Sequence, residues 1–585
     1  MLLSARKKPA IPDTMPAICT PKQTAVILLT LLMGLPMAWG FPPESARELV
    51  EQYVEDAASL KFRYRNPNSE ITQQRMTRFY STWQTRVAQV DFESLDTDAK
   101  IDILLLRNQI RQRAAELEDR LAKDKIARRL LPFLDPINQL LDEHEATRET
   151  NPQKVAETFA AVTTQVDSFD TSIIKLFSTS NPVVIVRAIR QLDAATGALD
   201  EYHRFHLGYD PGYSWWVEKP YEALQDGLKK YKGKLQAGIY GDADPASQIV
   251  GEPIGRKRLE QELKHALIPY TVDELIDIAN QEMIWCDNEM RIASRALGYT
   301  DWKEAQNAVK NRFVKPGDQP KLINDLAQEA VNFLELNNLI TIPSIAKESW
   351  RMRMMSPARQ KMSPYFLGGH TILVSYPKRE MSHMDKMMSM RGNNPHFARA
   401  TVHHELIPGH HLQYFMNKRH KPYRQAFGTP FWLEGWAVYW EMLLWDLGFA
   451  KSNEDRIGML FWRKHRCARI VFSLSYHAGE MPAEECIEYL IDRVGHEPNN
   501  ARAEVRRSVM GGYGPLYQAA YMIGALQFRK LHEELVQSGK MTNREFHDAV
   551  LKENSIPVEL LRAKLLKLKI DSDFQSTWRF SNRIE

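Results

Sequence analysis

The chain has 585 residues, of which 44% are hydrophobic and 26% are charged, so it has enough apolar material for a large folded core and is not a disordered protein. Its formal net charge at pH 7 is +4, and the first 40 residues account for +3 of that charge. The nearly neutral remainder excludes a strongly basic surface, and we therefore expect no nucleic-acid partner.

The N-terminal segment has the pattern of a secretory signal peptide. Basic residues precede an apolar run over residues 25–40, and the small residues Ala38 and Gly40 fit a cleavage site before Phe41. Residues 1–40 are therefore predicted to be removed and the body to be exported, either periplasmic or secreted. If the segment stays uncleaved, it is predicted to be a membrane anchor, because the run is close to the minimum length of a span. Contact with a membrane is expected only in that case.

Helices are predicted for most of the chain between Ser45 and Ile340. Apolar residues recur at three- and four-residue steps over residues 101–131, with charged residues between them. The stretch that starts at Thr271 has the same period, and Thr271 with Glu274 forms a capping-box pattern at its start. Proline and glycine near residues 181, 211, 242–253 and 316 predict the breaks between helices.

A short strand is predicted after this helical region. Ser363 to Pro377 contains a Gly-Gly pair followed by β-branched and aromatic residues. Helical periodicity then returns in segments that begin at Phe431, Ala483 and Pro515. The predicted fold class is mainly α, with a small β-sheet beside the histidine-rich segment described next. The three cysteines of the body are widely spaced, which predicts buried free thiols.

Four of the 17 histidines lie within residues 400–413, ATVHHELIPGHHLQ. Zinc hydrolases with an H-E-x-x-H motif hold two histidines one helical turn apart, and the glutamate is the general base. His404 and Glu405 begin such a motif, but Pro408 stands where the second histidine is expected and His410 follows two residues later. On a straight helix a seven-residue step returns to the same face ~10 Å further along the axis, which one zinc ion with ~2 Å bonds cannot span.

Pro408 and Gly409 can interrupt the helix between the two histidines, so that the spacing along a straight helix no longer applies. Proline interrupts a helix, and glycine adopts conformations that other residues avoid. Together they can bulge two residues out of the helix and bring His410 back beside His404. His-Glu also occurs at residues 144, 496 and 532, but no histidine follows closely there, so these pairs are predicted to lie on the solvated surface.

A third metal ligand is predicted in FWLEGWAVYWE, residues 431–441. Glu434 stands among aromatic residues, where a carboxylate is rarely buried without a partner, and a metal ion is such a partner. Glu441 lies seven residues on, on the same helix face, and is suited to orienting a ligand histidine. The alternative is a surface helix whose two glutamates face water.

HHELIPGHHLQ followed by WLEGWAVYWE resembles the bacterial family called domain of unknown function 885, and the resemblance covers most of the body of the chain. That family is similar to gluzincin metallopeptidases, whose zinc is held by two histidines and a downstream glutamate. The resemblance implies one Zn²⁺ per chain, held by His404, His410 and Glu434, with Glu405 as the general base. Related enzymes carry glycine before the second histidine, which favours His410 over His411.

The resemblance also implies a large two-lobed metallopeptidase fold. Residues 41–585 are expected to form a single unit, with a helical lobe over about residues 41–342 and a catalytic lobe with the metal motif over about residues 343–585. A helical lobe that roofs the cleft restricts access, which favours peptides over folded proteins as substrates.

Tyrosines near the C-terminus are candidates for stabilising the oxyanion of a hydrolytic reaction. Tyr521 is the first candidate, with Tyr517 and Tyr513 behind it, because such a reaction needs a hydrogen-bond donor besides the metal. The alternative is a tyrosine of the core with a satisfied hydroxyl. The strand over residues 368–374 can bind an extended peptide by β-augmentation, or it can be internal.

Five further residues are weaker candidates. Arg507, with Arg506 beside it, can grip a substrate carboxylate through bidentate contacts, although paired arginines are also typical of a solvated face. His403 and His411 are predicted to contact either the ligands or the substrate. His477 is predicted to line the cleft, with a core histidine as the alternative.

The predicted function is therefore an exported zinc metallopeptidase that cleaves peptides, with Glu405 as general base. Two alternatives stay open: a zinc hydrolase of a non-peptide amide or ester, and a helical binding protein without catalysis. G-x-S-x-G and P-loop patterns are absent from the sequence, which disfavours the usual serine hydrolases and nucleotide enzymes. The oligomeric state stays open.

Overall fold

The computed structural model describes residues 45–241, 248–360 and 362–581. The predicted signal peptide, residues 1–40, lies outside this part of the chain. Within the described ranges, none of the helices combines the length and the hydropathy that a transmembrane span requires.

Helices dominate the described residues, which confirms the predicted class, mainly α. The N-terminal helices are α1 Ala46–Arg63, α2 Glu70–Ala88, α3 Thr97–Ala127, α4 Asp135–Glu145, α5 Pro152–Ser168, α6 Ser172–Ser180, α7 Pro182–His206 and α8 Pro211–Tyr240. The middle helices are α9 Arg256–His265, α10 Val272–Ala296, α11 Trp302–Lys310, α12 Gln319–Leu336, α13 Ser344–Glu348, α14 Pro357–Gln360, α15 His383–Gly392 and α16 Pro395–Glu405.

The C-terminal part of the described chain continues in the same way. Its helices are α17 His410–Asn417, α18 Pro430–Asp446, α19 Asn453–Ala478, α20 Ala483–Val494, α21 Pro498–Met510, α22 Tyr517–His532, α23 Asn543–Lys552 and α24 Val558–Leu565. Short 3-10 turns occupy Arg128–Leu130, Pro132–Leu134 and Pro422–Phe427, and one π-helical turn occupies Glu533–Gln537.

Local sequence signals explain several helix ends. The predicted capping box is present at the start of α10, where the Thr271 side chain accepts from the Glu274 amide and the Glu274 side chain accepts from the Thr271 amide. The predicted long helix near residue 101 is α3, which begins after Asp96 as its N-cap. Cys286, Cys467 and Cys486 are free and buried, as predicted.

The predicted small sheet consists of two parallel strands, β1 Arg351–Met354 and β2 Thr371–Val374. The register pairs the first residue of β1 with the first of β2, and so on to the last. Ile372 and Val374 point to one face and pack on α12 and on Ala398 and Val402 of α16. The sheet therefore lies against the helix that carries His404, as the sequence predicts.

Three groups of buried apolar side chains form the interior of the described residues. The largest draws on α1, α3 and α10 as well as on α18, α19 and α22. A second lies within residues 127–239, and the third joins the sheet to α12 and α16. The chain over Ser45–Glu585 is one compact unit, and its division into two lobes near residue 342 stays a prediction.

The backbones of two helices, α18 and α22, approach each other closely beside the site. A Cβ placed on Gly524 would lie 2.8 Å from Cα of Gly435 and would overlap the carbonyl of Phe431. A Cβ on Gly435 would lie 2.5 Å from Cα of Gly524. Because neither glycine has a side chain, α18, which carries Glu434, lies directly against α22, which carries the two candidate tyrosines.

We expect Gly524→Ala to lower the free energy of unfolding by about 1–3 kcal/mol or more, because the methyl group meets backbone that cannot move aside. Gly197→Ala is the matched control, since nothing lies within 4 Å of a Cβ at this position inside α7. Alanine there should leave stability unchanged or raise it by about 0.5–1 kcal/mol. Urea unfolding, followed by circular dichroism, measures the free energy of unfolding of both variants. Equal changes in the two variants would contradict the close approach of α18 and α22.

Candidate metal centre

The expected break between the histidines is present. Helix α16 ends at Glu405 and α17 begins at His410, so residues 406–409 leave the helical path. The Gly409 amide donates to the carbonyl of His403 at 3.0 Å, which turns the chain back on the end of α16. The imidazole rings of His404 and His410 consequently lie 4.9 Å apart, centroid to centroid.

Two glycines make this turn sterically possible. A Cβ on Gly409 would overlap the carbonyl of His404, and it would lie 2.7 Å from the carbonyl oxygen of His403. A Cβ on Gly368 would lie 2.5 Å from the carbonyl oxygen of Glu405 and 2.8 Å from its Cα. The segment that leads into β2 therefore passes directly over Glu405.

The side chains of the motif converge on one point. Ligand atoms of His404, Glu405 and His410 all lie within 4.8 Å of one another, so these three residues could hold a metal ion. Glu434 of α18 reaches the same point, with its Oε2 3.1 Å from Nε2 of His410 and 3.6 Å from Nε2 of His404. All four side chains are buried. Two imidazole nitrogens and a carboxylate oxygen are a donor set that suits zinc.

The second nitrogen of each imidazole is held by another side chain. Nδ1 of His404 donates to Oε1 of Glu441 at 2.7 Å, and the same oxygen accepts from Arg466 at 3.0 Å. Nδ1 of His410 donates to Oε1 of Gln413 at 3.1 Å. These bonds orient both Nε2 atoms towards Glu434, as partners of ligand histidines do. The predicted solvent-facing alternative for Glu434 and Glu441 does not apply, since they are 4% and 7% exposed.

Charge accumulates strongly at this point. Burial by itself lowers the pKa of His410, but the Glu434 carboxylate outweighs burial and raises that pKa to about 9. Burial likewise opposes ionisation of Glu434, and the two histidines hold its pKa well below the usual range. The carboxylate thus attracts positive charge to the place where the imidazoles meet, and a divalent cation satisfies the same attraction.

The turn over residues 406–409 is also held from α18. Nε1 of Trp436 donates to the carbonyl of Pro408 at 2.8 Å, and both groups are buried. Nε2 of Gln413 donates to the carbonyl of Trp432 at 3.4 Å. Helix α18 therefore supplies both Glu434 and the contacts that fix the opposite ligand segment.

The tyrosines of α22 occupy two different positions. The Tyr517 hydroxyl donates to Oε1 of Glu434. The ring of Tyr521 lies nearly parallel to that of His404, 6.2 Å away, and under the Arg466 and Arg469 guanidinium groups at 4.9 and 4.2 Å. No described residue accepts a hydrogen bond from the Tyr521 hydroxyl.

A cavity of about 240 Å³ opens on these groups. Its lining includes His404, Glu405, His410, Glu434, Arg466, Arg469, Arg507, Tyr513, Tyr517 and Tyr521. A larger cavity of about 580 Å³ is lined partly by α3, α9 and Thr429 to Phe431. The two cavities share Tyr517.

Three candidate histidines lie outside the lining that the described residues form. His403 is buried against Phe449, with ring centroids 5.7 Å apart. Nε2 of His411 donates to the carbonyl of Ala346 at 2.8 Å. His477 is buried beside Tyr476 near the end of α19. Roles for these three at the ligands or the substrate stay predictions.

Two residues predicted to be on the surface are buried. His496 bonds to His465 at 2.9 Å and to the Tyr365 hydroxyl at 2.7 Å, and His532 bonds to Asn543 at 2.7 Å. The prediction of solvated His-Glu pairs at these positions is therefore wrong, because it relied on the absence of a nearby histidine in sequence.

The chain matches one known protein family. Residues 62–565 match the profile of a family described as bacterial protein of unknown function, DUF885. The chain belongs to this family. No curated protein matches the chain.

The fold of this DUF885 protein is similar to two solved structures. One is a candidate lipoprotein of unknown function from Shewanella oneidensis, with a TM-score of 0.66, 16% identity, and coverage of 90% of this chain and 100% of that one. The other is a candidate lipoprotein from Colwellia psychrerythraea, with a TM-score of 0.56, 15% identity, and coverage of 89% and 99%. At these identities the comparison shows the fold alone.

We expect Trp436→Phe to lower the free energy of unfolding by about 1–3 kcal/mol more than Trp432→Phe does. Both tryptophans are fully buried, and both changes remove the same volume. Only the first leaves a buried carbonyl, that of Pro408, without its donor, since Nε1 of Trp432 has no partner among the described residues. Urea unfolding of the two variants measures the difference, and no difference would argue against the tie between α18 and the turn.

Proposed function

We propose that this DUF885 protein is a metal-dependent hydrolase, specifically a zinc metallopeptidase in which His404, His410 and Glu434 hold the ion. The observation that carries the proposal is the convergence of one carboxylate oxygen on two imidazole nitrogens, at 3.1 and 3.6 Å. Each imidazole is also oriented from behind by a separate side chain. Catalytic zinc sites use this combination of three protein ligands and supporting contacts.

Two glutamates compete for the place of third ligand, and the geometry favours Glu434. Its Oε2 lies between the two Nε2 atoms, while its Oε1 accepts from Tyr517, which fixes the carboxylate in this orientation. Glu405 lies beside the pair, beneath Gly368, and lines the cavity. It is therefore placed to act on a water molecule in the cavity, and a purely structural metal site has no need of such a group.

The chemistry that a zinc ion supplies in such a site is acidification of a water molecule and polarisation of the carbonyl that is attacked. Glu405 would then act as the general base that takes up the proton of the attacking water and returns it to the leaving amine. Burial raises the pKa of the Glu405 carboxyl, which suits a group that must both take up and release a proton. Tyr521 lines the cavity, and its hydroxyl makes no hydrogen bond to a described residue, which supports its role as a donor to the oxyanion.

Peptides are the substrate class that this site supports. The cavity at the metal ligands is about 240 Å³, and Tyr517 also lines a neighbouring cavity of about 580 Å³; cavities of this size suit a short flexible chain rather than a folded protein. The N-terminal pattern and the fold shared with candidate lipoproteins support an exported protein, periplasmic or secreted.

We expect the wild-type protein to contain about one zinc per chain after zinc loading and dialysis, because three ligands converge on one point. His404→Ala, His410→Ala and Glu434→Ala should each lose it, whereas His411→Ala should keep it, since Nε2 of His411 is bound to the carbonyl of Ala346. Elemental analysis measures the ratio. If Glu434→Ala keeps the metal and Glu405→Ala loses it, the third ligand is Glu405 and not Glu434.

We expect Glu405→Gln to keep its zinc and to lose about 100-fold or more of its hydrolytic rate, because only the general base is removed. Cleavage of a peptide library, read by mass spectrometry, measures the rate. A parallel panel of aryl esters and non-peptide amides tests the bond type. If the protein cleaves esters and no peptides, the proposed peptidase activity is wrong and the same site is that of an esterase.

We expect Glu441→Gln to weaken zinc affinity by about 10- to 100-fold, because the carboxylate that orients His404 becomes a weaker acceptor. Glu282→Gln is the matched control, since Glu282 is also buried and paired with an arginine of α19, Arg463, at 2.8 Å. Competition with a chromophoric chelator measures both affinities. Equal affinities in the two variants would mean that Glu441 only stabilises the fold.

A further inference from the structure

Three buried arginines line the small cavity beside the candidate ligands, and two of them are paired. Arg466 donates to Glu441 at 3.0 Å. Nε and Nη2 of Arg469 donate to Oε1 of Glu504 at 2.8 and 2.7 Å. Within each pair the positive charge of the arginine is balanced by the negative charge of the glutamate, as is usual for buried ions.

The third arginine, Arg507 of α21, makes only a loose ion pair, with a glutamate that is already hydrogen-bonded to Arg469. It is 6% exposed, and no described residue accepts a hydrogen bond from its guanidinium group. The nearest carboxylate is that of Glu504, whose Oε2 lies 3.9 Å from Nε, beyond hydrogen-bond reach. Nε of Arg507 and Nη1 of Arg469 are both buried without an acceptor among the described residues.

The histidine and tyrosine neighbours of Arg507 do not supply the missing negative charge, and the other carboxylates of the cavity, Glu405 and Glu434, belong to the candidate metal cluster. Burial lowers the pKa of His465 well below its usual value and that of His496 to about 3, so both rings are uncharged at neutral pH. The ring of Tyr513 lies 5.4 Å from Cζ of Arg507 and offers only its face. Among the three buried arginines of the cavity, one guanidinium charge therefore exceeds the two glutamates that pair with them, and burying such a charge is expensive unless an anion joins it. Arg359 also lines the cavity, but it is exposed to solvent.

We propose that Arg507, assisted by Nη1 of Arg469, binds the C-terminal carboxylate of a peptide, which makes this protein a carboxypeptidase. The inference rests on the proposed function and specifies its substrate. A planar guanidinium group binds a carboxylate through two parallel hydrogen bonds, which gives both affinity and direction.

The arrangement of the groups gives the direction of the bound chain. The ring of Tyr521 lies 6.2 Å from that of His404 and 4.2 Å from Cζ of Arg469, so Arg469 lies about the width of one aromatic ring from the ligand cluster. That spacing and the volume of about 240 Å³ suit a single residue beyond the bond that is cut. The rest of the peptide extends past Tyr517 into the larger cavity. Hydrolysis breaks the C-terminal peptide bond. The hydroxyl of water is added to the acyl carbon, and a hydrogen is added to the amine nitrogen of the released amino acid.

The test compares binding of free acids and amides. The probes are N-acetylated dipeptides Ala-X, with X varied over the amino acids, each as the free acid and as the C-terminal amide. The full-length protein carries Glu405→Gln, so that bound peptide is not cleaved, and isothermal titration gives the affinities. We expect the acids to bind about 30-fold or more tightly than the amides, because the amide leaves Arg507 buried and unpaired.

Substitutions assign this preference to one residue. Arg507→Gln should abolish the difference between acid and amide, and Arg507→Lys should keep part of it, since lysine retains the charge without the planar fork. Arg506→Gln is the matched control: it removes the same charge one residue away, where the side chain lines a different cavity, and it should keep the full preference. A preference that persists in Arg507→Gln overturns the proposal.

If an Arg507 variant does not fold, the comparison of acid and amide binding to the protein with Arg507 intact still tests the proposal. Equal binding of acid and amide, or binding of neither, overturns the proposal. Cleavage at internal bonds, with amidated peptides accepted equally, would leave the proposed peptidase intact and remove the carboxylate site. If the protein prefers acids but holds no metal and cleaves no peptide, the carboxylate-binding site is supported and the proposed peptidase function is wrong.

Discussion

The site depends on one interruption of the backbone, the four residues between α16 and α17. A continuous helix would place His404 and His410 on different faces and at different heights. The turn instead brings their rings within 4.9 Å, and it exists because Gly409 has no side chain to strike the end of α16. Trp436 holds the turn from the opposite helix through the carbonyl of Pro408. The residues that break the helix are thus the ones that assemble the ligand set.

The second requirement is the close contact of α18 with α22. Gly435 and Gly524 let the two backbones meet, and this contact places Tyr517 against the Glu434 carboxylate. Helix α19 then supplies the arginines, one behind Glu441 and one over Tyr521. Most buried charges around the cavity are paired in this way. The exception, Arg507, lines the cavity without a hydrogen-bonded carboxylate, and a buried charge in such a place is a reason to look for a ligand.

Much of the secondary structure follows from local pattern. The period of α3, the capping box of α10 and the strand β2 were all predictable, because each depends on residues within a few positions of one another. The histidine motif was predictable as a cluster for the same reason. Gln413 was missed although it lies one turn from His410 on the same helix, a spacing that brings side chains together.

Other features could not be predicted because they depend on residues far apart in the chain. Arg466 supports Glu441, and Arg469 pairs with Glu504, only because the folded chain brings α19 within side-chain reach of both α18 and α21. His496 looked like a surface residue in sequence and is buried by the same packing. The sequence by itself determined a mainly helical chain and a glutamate-bearing histidine cluster with breakers inside it. Only the tertiary structure decided that Glu434 meets both imidazoles and that Arg507 makes no hydrogen bond to a carboxylate, since charge pairing between helices depends on their docking and leaves no local pattern in the sequence.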